Sequence, residues 1–390
     1  MIVRSMRPDE IEACLDVWDK SFEHTPREYF RRYFDGDPWF KPEYTRVCED
    51  EGQIVSIVQI CRREVRYGAA TLIMGGIANV GTPPEFRGRG YSSETMKSAI
   101  DVMINERMDF SMLFTGINAF YEKVAYVTIE NTHGVGKLKP EVPQMSLPYD
   151  IRPYSSEDAD AIVTLYNDYN SLAVFPVVRT LAYWSGFAVD PRSSNYDIWV
   201  AKADKDIKAY LLGHKYGKSY AISEMACKAG HEFALLALAQ AAWLKAVDSK
   251  SEDVVYRLPK RPEINTAIDS IATGFTSRLH TGMMLRVIDL QSLFMKILPE
   301  LARRSAGLTH SGRITISTEY GVVTLDTSPG RVVMVDEQAD EWIELDHRGL
   351  LSLVFGYKPA QEVVSGLDST NPLSVLFPKQ ETIFYPVDGF

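Results

Sequence analysis

Val80-Gly81-Thr82-Pro83-Pro84-Glu85-Phe86-Arg87-Gly88-Arg89-Gly90-Tyr91-Ser92-Ser93 decides how this chain is read. An apolar run, Leu72 to Val80, leads into the stretch, and a helical pattern, Ser93 to Met108, leads out of it. A strand that feeds a Gly/Arg loop and then a helix is an anion-binding arrangement. The free N–H groups of the first helical turn point at the ligand, and the helix dipole favours negative charge there. Gly88 and Gly90 let the backbone approach phosphate oxygens without a Cβ in the way. Arg87 and Arg89 add guanidinium forks suited to phosphate. The spacing is neither GxxxxGK[ST] nor GxGxxG, so the loop is not that of a Walker or a Rossmann nucleotide site.

The totals bound the rest. A chain of 390 residues exceeds one core, and about two or three domains are expected. A net charge of −10 argues against nucleic acid as the main partner and suits a cationic substrate. Cys14, Cys48, Cys61 and Cys227 are scattered without a CxxC, which reads as reduced thiols. The seven histidines form no HxxxH or HExxH, so no metal is expected. The N-terminus lacks an apolar signal region, and the most apolar stretch, Phe233 to Val247, is too short to span a bilayer. The expectation is a cytoplasmic protein with no membrane span.

Taken in order, Ile2 to Arg4 reads as a strand, and Pro8-Asp9-Glu10 opens a helix with Ile11, Leu15, Trp18 and Phe22 at helical spacing. Tyr29, Phe30, Tyr33, Phe34, Trp39 and Phe40 form an aromatic cluster. It reads either as packing between helices or, through Trp39 and Phe40, as a substrate wall that attracts ammonium groups. Thr45 to Glu49 and Gln53 to Val65 form a hairpin across Asp50-Glu51-Gly52, and Phe110 to Phe114 is a further strand.

From Tyr149 the same order begins again: a strand with Ile151-Arg152-Pro153, a helix Glu157 to Tyr169, strands Ile198 to Ala203, Ile207 to Lys215 and Tyr220 to Ala226, and the helix Phe233 to Val247. The loop of this second copy, Cys227 to Glu232, has no Arg-x-x-Gly, and Glu232 sits where an anion belongs. A third segment starts at Gly282, with a helix carrying Leu293, Ile297 and Leu301, alternating strands Arg313 to Ser317, Gly321 to Thr327 and Arg331 to Asp336, and a helix Arg348 to Phe355. The tail, with Ile383, Phe384, Tyr385, Val387 and Phe390, is too apolar to be solvated.

Two stretches carry a family resemblance. Arg87-x-x-Gly90-x-Ser92, after a Val-x-Thr strand end, resembles the pyrophosphate loop of the GNAT acyltransferases, with Ser92 where the family has Gly or Ala. Ala119-Phe120-Tyr121-Glu122-Lys123-Val124-Ala125-Tyr126 resembles the second GNAT signature, with Ala125 and Tyr126 in place of Gly and Phe. The layout of the whole chain resembles the Eis (enhanced intracellular survival) acetyltransferases.

The resemblance implies an α+β protein: tandem GNAT folds, whose mixed, mostly antiparallel sheets are flanked by helices, plus a C-terminal sterol-carrier-protein-like domain. Its boundaries would be 1–148 for the catalytic GNAT domain, 149–281 for the degenerate copy and 282–390 for the last. It implies an acetyl-CoA-dependent N-acetyltransferase acting on primary amines of polycationic small molecules, or on lysine side chains of peptides, and a homo-oligomer, a hexamer by resemblance.

Val80, Gly81, Thr82, Gly116, Ile117 and Asn118 would border the pantetheine arm, with the Val80 N–H aimed at the thioester oxygen. Arg87 to Ser93, including Tyr91, would hold the pyrophosphate. Tyr121 is the expected general acid, or packs on its helix. No base stands out by spacing, and the resemblance implies the Phe390 carboxylate in that role. Two other readings compete with this one. Aminoacyl-tRNA-dependent peptidyl transfer conflicts with the intact Arg87 loop, and a lipid or small-molecule carrier leaves that loop and Tyr121 without a purpose.

Overall fold

Glu51 and Gly52 both have positive φ, 49° and 77°, the geometry of a two-residue hairpin turn whose twist matches its strands. The hairpin they close lies in the first of three runs of elements. The computed structural model describes residues 1–390 except Ser194, Asp340, Glu341 and Ser369.

The first run is β1 (Ile2–Ser5), α1 (Ile11–Ser21), α2 (Arg27–Asp35), β2 (Thr45–Asp50), β3 (Gln53–Tyr67), β4 (Ala70–Gly81), α3 (Tyr91–Asn105), β5 (Phe110–Phe114), α4 (Asn118–Glu122) and β6 (Val127–Leu138). The second is β7 (Asp150–Pro153), α5 (Ala159–Tyr169), β8 (Val174–Val177), α6 (Leu181–Tyr183), β9 (Asp197–Ala203), β10 (Asp206–Tyr216), β11 (Ser219–Cys227), α7 (Phe233–Asp248), β12 (Asp253–Tyr256), α8 (Pro262–Ile271) and β13 (Ala272–Val287). The third is α9 (Leu290–Ser305), β14 (Gly312–Thr318), β15 (Gly321–Ser328), β16 (Arg331–Val335), β17 (Trp342–Glu344), α10 (His347–Val354), α11 (Ala360–Val363) and α12 (Pro372–Leu376).

The first two runs share one sheet. Its order is β1-β2-β3-β4-β5-β13-β6-β12-β11-β10-β9-β7, with β8 added beside β3. The order has the same plan from either end. Each half contains one parallel step, β4 on β5 and β11 on β12, and otherwise antiparallel pairs. At the centre the halves exchange strands: β6 crosses to pair with β12, and β13 returns to pair with β5. The repeat inferred from the order of elements is therefore joined into one continuous sheet.

The exchange corrects one expectation. A boundary between residues 281 and 282 falls inside β13, whose residues 283–287 pair with β5 and whose residues 283–285 pair also with β6. Met283, Met284, Leu285 and Val287 are buried, whereas residues 273–281 are exposed. The third run accordingly starts at Leu290, where Asp289 caps α9 by accepting the Ser292 N–H at 2.8 Å.

The third run forms a separate four-stranded sheet, β16-β15-β14-β17, with α9 against it. α9 also reaches the large sheet through Glu300, which accepts the Ala69 N–H at 2.9 Å and is paired with Arg303 and Arg304. The tail runs back into the molecule. Ile383 donates to the Val174 carbonyl at 3.0 Å, and Tyr385 is fully buried. Asp388 accepts from buried Arg179 at 2.9 Å, and Arg179 also pairs with Glu224. A solvated tail is excluded by these contacts. Among the described residues no helix is long and apolar enough to cross a membrane.

Candidate active site

The site starts from an irregularity in β4. Ile57 pairs with Gly81 and Gln59 with Ala78, so β4 fits three steps where β3 makes two. This β-bulge sits at Asn79, whose φ is 51°, and it is held from two sides. Trp18 Nε1 donates to the Asn79 carbonyl at 2.6 Å, and Asn79 Nδ2 donates to Gln59 Oε1 at 2.9 Å. The parallel pairing of β4 with β5 covers Met74–Ile77 against Phe110–Leu113 and stops there. Beyond it the two strands part, each with backbone groups the other does not use.

The Gly/Arg loop closes one side of the gap. Gly88 and Gly90 have φ of 78° and 83°, and Gly90 caps α3. No atom lies within 4 Å of a Cβ built on either, so the glycines serve the left-handed backbone rather than relieve crowding. Arg87 Nε donates to the Thr82 carbonyl at 2.9 Å, which ties the loop to the strand end while leaving the side chain exposed. Arg89 donates to the Glu85 carbonyl at 3.1 Å and lies over the Phe86 ring.

These elements surround a cavity of about 680 Å³. Val80 and Thr82 come from the strand end, Arg87, Gly88 and Gly90 from the loop, Tyr91, Ser92 and Ser93 from the first turn of α3, and Ile117 and Tyr121 from across the gap. Ser21 and Phe22, which lie outside both motifs, complete it together with Phe86, Phe120 and Lys123 from within them. Four expected residues are not in its wall. Gly81 faces α1, where a Cβ would meet the Trp18 ring at 2.9 Å. Asn118 donates to Thr128 Oγ1 and to the Thr281 carbonyl. Arg89 points back along the loop, and Gly116 stands in open space.

Tyr121 is buried, with its ring edge-on to Phe120 and Tyr126. Burial pushes its hydroxyl up to about 12, opposed by a hydrogen bond with Thr115, so the phenol is protonated at neutral pH. Tyr126 is a packing residue whose hydroxyl meets Ser111 Oγ at 2.6 Å.

A second cavity, of about 530 Å³, lies at the C-terminal tail. Phe390 lines it, with its ring 5.8 Å from Phe114 and 5.7 Å from Phe384 between centroids. Tyr121 and Phe390 thus line different cavities. The second also takes in Tyr29 and Arg32 from α2, His133 from β6, His280 from β13, and Arg257 just after β12. Burial and then His280, Arg278 and Arg257 hold His133 below the usual histidine range, and partial burial and then Arg257 do the same for His280. No sequence motif marks these residues; they meet only because β6 and β13 are exchanged.

Trp39 and Phe40 are in neither wall. Trp39 packs on Tyr183 at 4.9 Å beside buried Arg63, and Phe40 packs edge-on against Phe34 at 5.2 Å. The aromatic cluster is packing, and Tyr29 is its member that reaches a cavity. In the second copy, Glu232 accepts the Gly230 N–H at 2.9 Å, so the loop supplies its own anion. Among the described residues no group of three or more His, Cys, Asp or Glu side chains could hold a metal ion.

A sequence model of the acetyltransferase (GNAT) domain matches residues 2–129. N-alpha-acetyltransferase 30 of Schizosaccharomyces pombe is 30% identical over 121 residues, 30% of this chain and 77% of the relative. The chain belongs to the GNAT acetyltransferases. It is an N-acetyltransferase.

Solved structures extend the likeness in fold to the whole GNAT chain. A conserved protein of Enterococcus faecalis V583, described as a probable N-acyltransferase, superposes with a TM-score of 0.73 at 16% identity, covering 98% of this chain and 97% of its own. Eis1 of Mycobacterium abscessus superposes with a TM-score of 0.66 at 11% identity, covering 100% of both chains.

Proposed function

We propose that this GNAT protein carries an acetyl group from acetyl-CoA directly to the primary amine of a small molecule or peptide. The first cavity carries the reading. Two glycines with positive φ, the Arg87 guanidinium, the open first turn of α3 and a parted strand pair converge on one space. That set fits a diphosphate followed by an extended amide-bearing arm.

In this reading acetyl-CoA supplies the activated acetyl group. The N–H groups of Tyr91, Ser92 and Ser93 and the Arg87 guanidinium hold the diphosphate, with Arg89 as the outer cation. Backbone groups of Val80, Gly81 and Thr82 hold the arm as an added strand, bordered by Gly116, Ile117 and Asn118, and the Val80 N–H donates to the thioester oxygen. Tyr121 holds the proton that the departing sulfur needs. The Phe390 carboxylate receives the amine proton, and the imidazoles of His133 and His280, neutral at pH 7, can pass it on.

The whole-chain likeness to Eis1 supports an Eis-type layout, with residues from Leu290 onward as a sterol-carrier-like layer. A homo-hexamer in the cytoplasm belongs to the same proposal, and light scattering that returned a particle of 44.0 kDa would remove the hexamer from it.

Arg87→Ala tests the central point. It removes a charge-assisted phosphate contact worth about 1.5–3 kcal/mol, so calorimetry should show acetyl-CoA affinity falling by at least tenfold. Unchanged affinity would mean that the loop does not hold the diphosphate.

A further inference from the structure

The whole chain is acidic, but the second cavity is not. Among the described residues no Asp or Glu lines it, whereas Arg32 and Arg257 both do. Arg32 is 2% exposed and stacked on the rings of Tyr29, Tyr33 and Phe187. It donates to the Phe187 carbonyl and the Tyr33 hydroxyl, and its Nε has no partner. Its acidic neighbour Asp190 is already tied to Arg192 at 2.6 Å. Arg257 is half-buried and donates to the Phe384 carbonyl. Among the described residues neither guanidinium has a carboxylate partner. Burial pulls Arg257 below its ordinary value, as expected of a cation without a counter-ion. The Phe390 carboxylate offsets at most one of the two charges.

Two guanidiniums without side-chain carboxylates are a costly arrangement in a partly buried space. They repel a polycation and attract an anion that can accept a forked hydrogen bond. The remaining wall is largely aromatic, with Phe114, Phe384 and Phe390 packed against one another in tilted and edge-on contacts. We infer that the acetyl acceptor is a primary amine that also bears a carboxylate on an apolar or aromatic body, with Arg257 and Arg32 holding the carboxylate. The inference rests on the transferase reading above and narrows its acceptor. The same cations serve the chemistry, because they lower the pKa of a nearby ammonium and so favour the neutral amine that attacks.

The net charge of −10 points the other way, toward a cationic acceptor. That charge is spread over the whole surface and is screened by salt within about 10 Å, whereas the two arginines stand at the cavity itself.

The test compares CoA release with phenylalanine, phenylalanine amide, phenethylamine, spermine and a phenylalanyl dipeptide, alongside calorimetry of acetyl-CoA binding. Phenylalanine should exceed the amide and phenethylamine in kcat/KM by at least tenfold, and spermine by more. A dipeptide that matches phenylalanine places the carboxylate farther from the amine, on a peptide; one that fails assigns the site to free amino acids. Arg257→Gln should cut the acid-to-amide preference by at least tenfold, and Arg257→Lys should restore part of it. The wild-type comparison stands even if a variant does not fold. Acetyl-CoA binding with equal or better use of spermine or the amide, or with turnover of none of these amines, overturns the inference and leaves the transferase reading in place. Absence of both acetyl-CoA binding and turnover removes that reading and the inference with it.

Discussion

The ring of Phe390 occupies the space that a side chain on Gly76 would need. A Cβ built on Gly76 would come within 2.7 Å of Phe390 Cε1 and Cε2. Gly76 lies in the paired part of β4, opposite Met112 of β5 and Cys61 of β3, where glycine otherwise weakens a strand. The tail and the strand are thus fitted to each other, and the fit sets where residue 390 stands in the second cavity.

Gly76→Ala tests this relationship. The methyl must displace the ring, which is confined by Phe114 and Phe384. Overpacking of this kind costs about 1–3 kcal/mol. The melting temperature should fall by a few degrees, kcat should fall by at least tenfold, and acetyl-CoA affinity should be unchanged. Normal turnover would show that the position of Phe390 does not matter to transfer.

Trp18→Phe tests the bulge. Phenylalanine keeps the stacking on Phe30, 5.2 Å away, but loses the N–H that holds the Asn79 carbonyl. The lost bond is worth about 1–2 kcal/mol. With the parted strands as the proposed seat of the donor, the KM for acetyl-CoA should rise several-fold with a smaller change in kcat. An unchanged KM would show that the bulge keeps its shape without the indole.

Elements whose cause is local were legible in the chain. β5 falls on Phe110–Phe114, and α5 and α7 end within a residue or two of the pattern that marks them. The Gly88/Gly90 loop was legible for the same reason, since a left-handed backbone before a helix needs glycine wherever it occurs. β8 is not legible in the sequence because all four of its residues are buried, so it shows no alternation, and Pro176 interrupts its run. β13 reads as the end of one segment and the start of another because its first part is exposed and its last part buried. The same break in the pattern conceals the second cavity. Arg32, His133, Arg257 and His280 have no shared spacing, and only the strand exchange brings them together.

His347 makes the junction between the third run and the large sheet sensitive to acid. Its Nε2 accepts the Val287 N–H at 3.2 Å, and its Nδ1 meets the Tyr320 hydroxyl at 3.0 Å. Burial, then Arg286, pushes its pKa down to about 4. An unfolded histidine takes up its proton near 6.5, so between those values the unfolded chain binds more protons and stability falls as pH falls. The stabilisation is fully present above about pH 6.5, and about 3 kcal/mol is lost on the way to pH 4. His347→Gln keeps an acceptor that does not titrate. Its stability deficit at pH 7, read from denaturant curves, should shrink or reverse by pH 5. A deficit independent of pH would show that His347 does not titrate in this way.

Tyr121 carries the last prediction. A hydroxyl raised to about 12 is a weaker acid than free tyrosine, which at first sight disqualifies it as proton donor to a thiolate. The comparison must be made inside one environment. Burial also raises thiols, and in this chain it pushes Cys14 and Cys61 up to about 12. A departing thiolate beside Tyr121 is desolvated by the same wall, so the proton moves between groups of similar affinity. Tyr121→Phe keeps the ring contacts with Phe120 and Tyr126, and should lower kcat by about 10²–10⁴-fold with little change in either KM. The penalty should nearly vanish with a donor whose thiol is acidic, such as an aryl thioester, because that leaving group needs no proton. A penalty equal for both donors would assign Tyr121 to packing, with water as the acid.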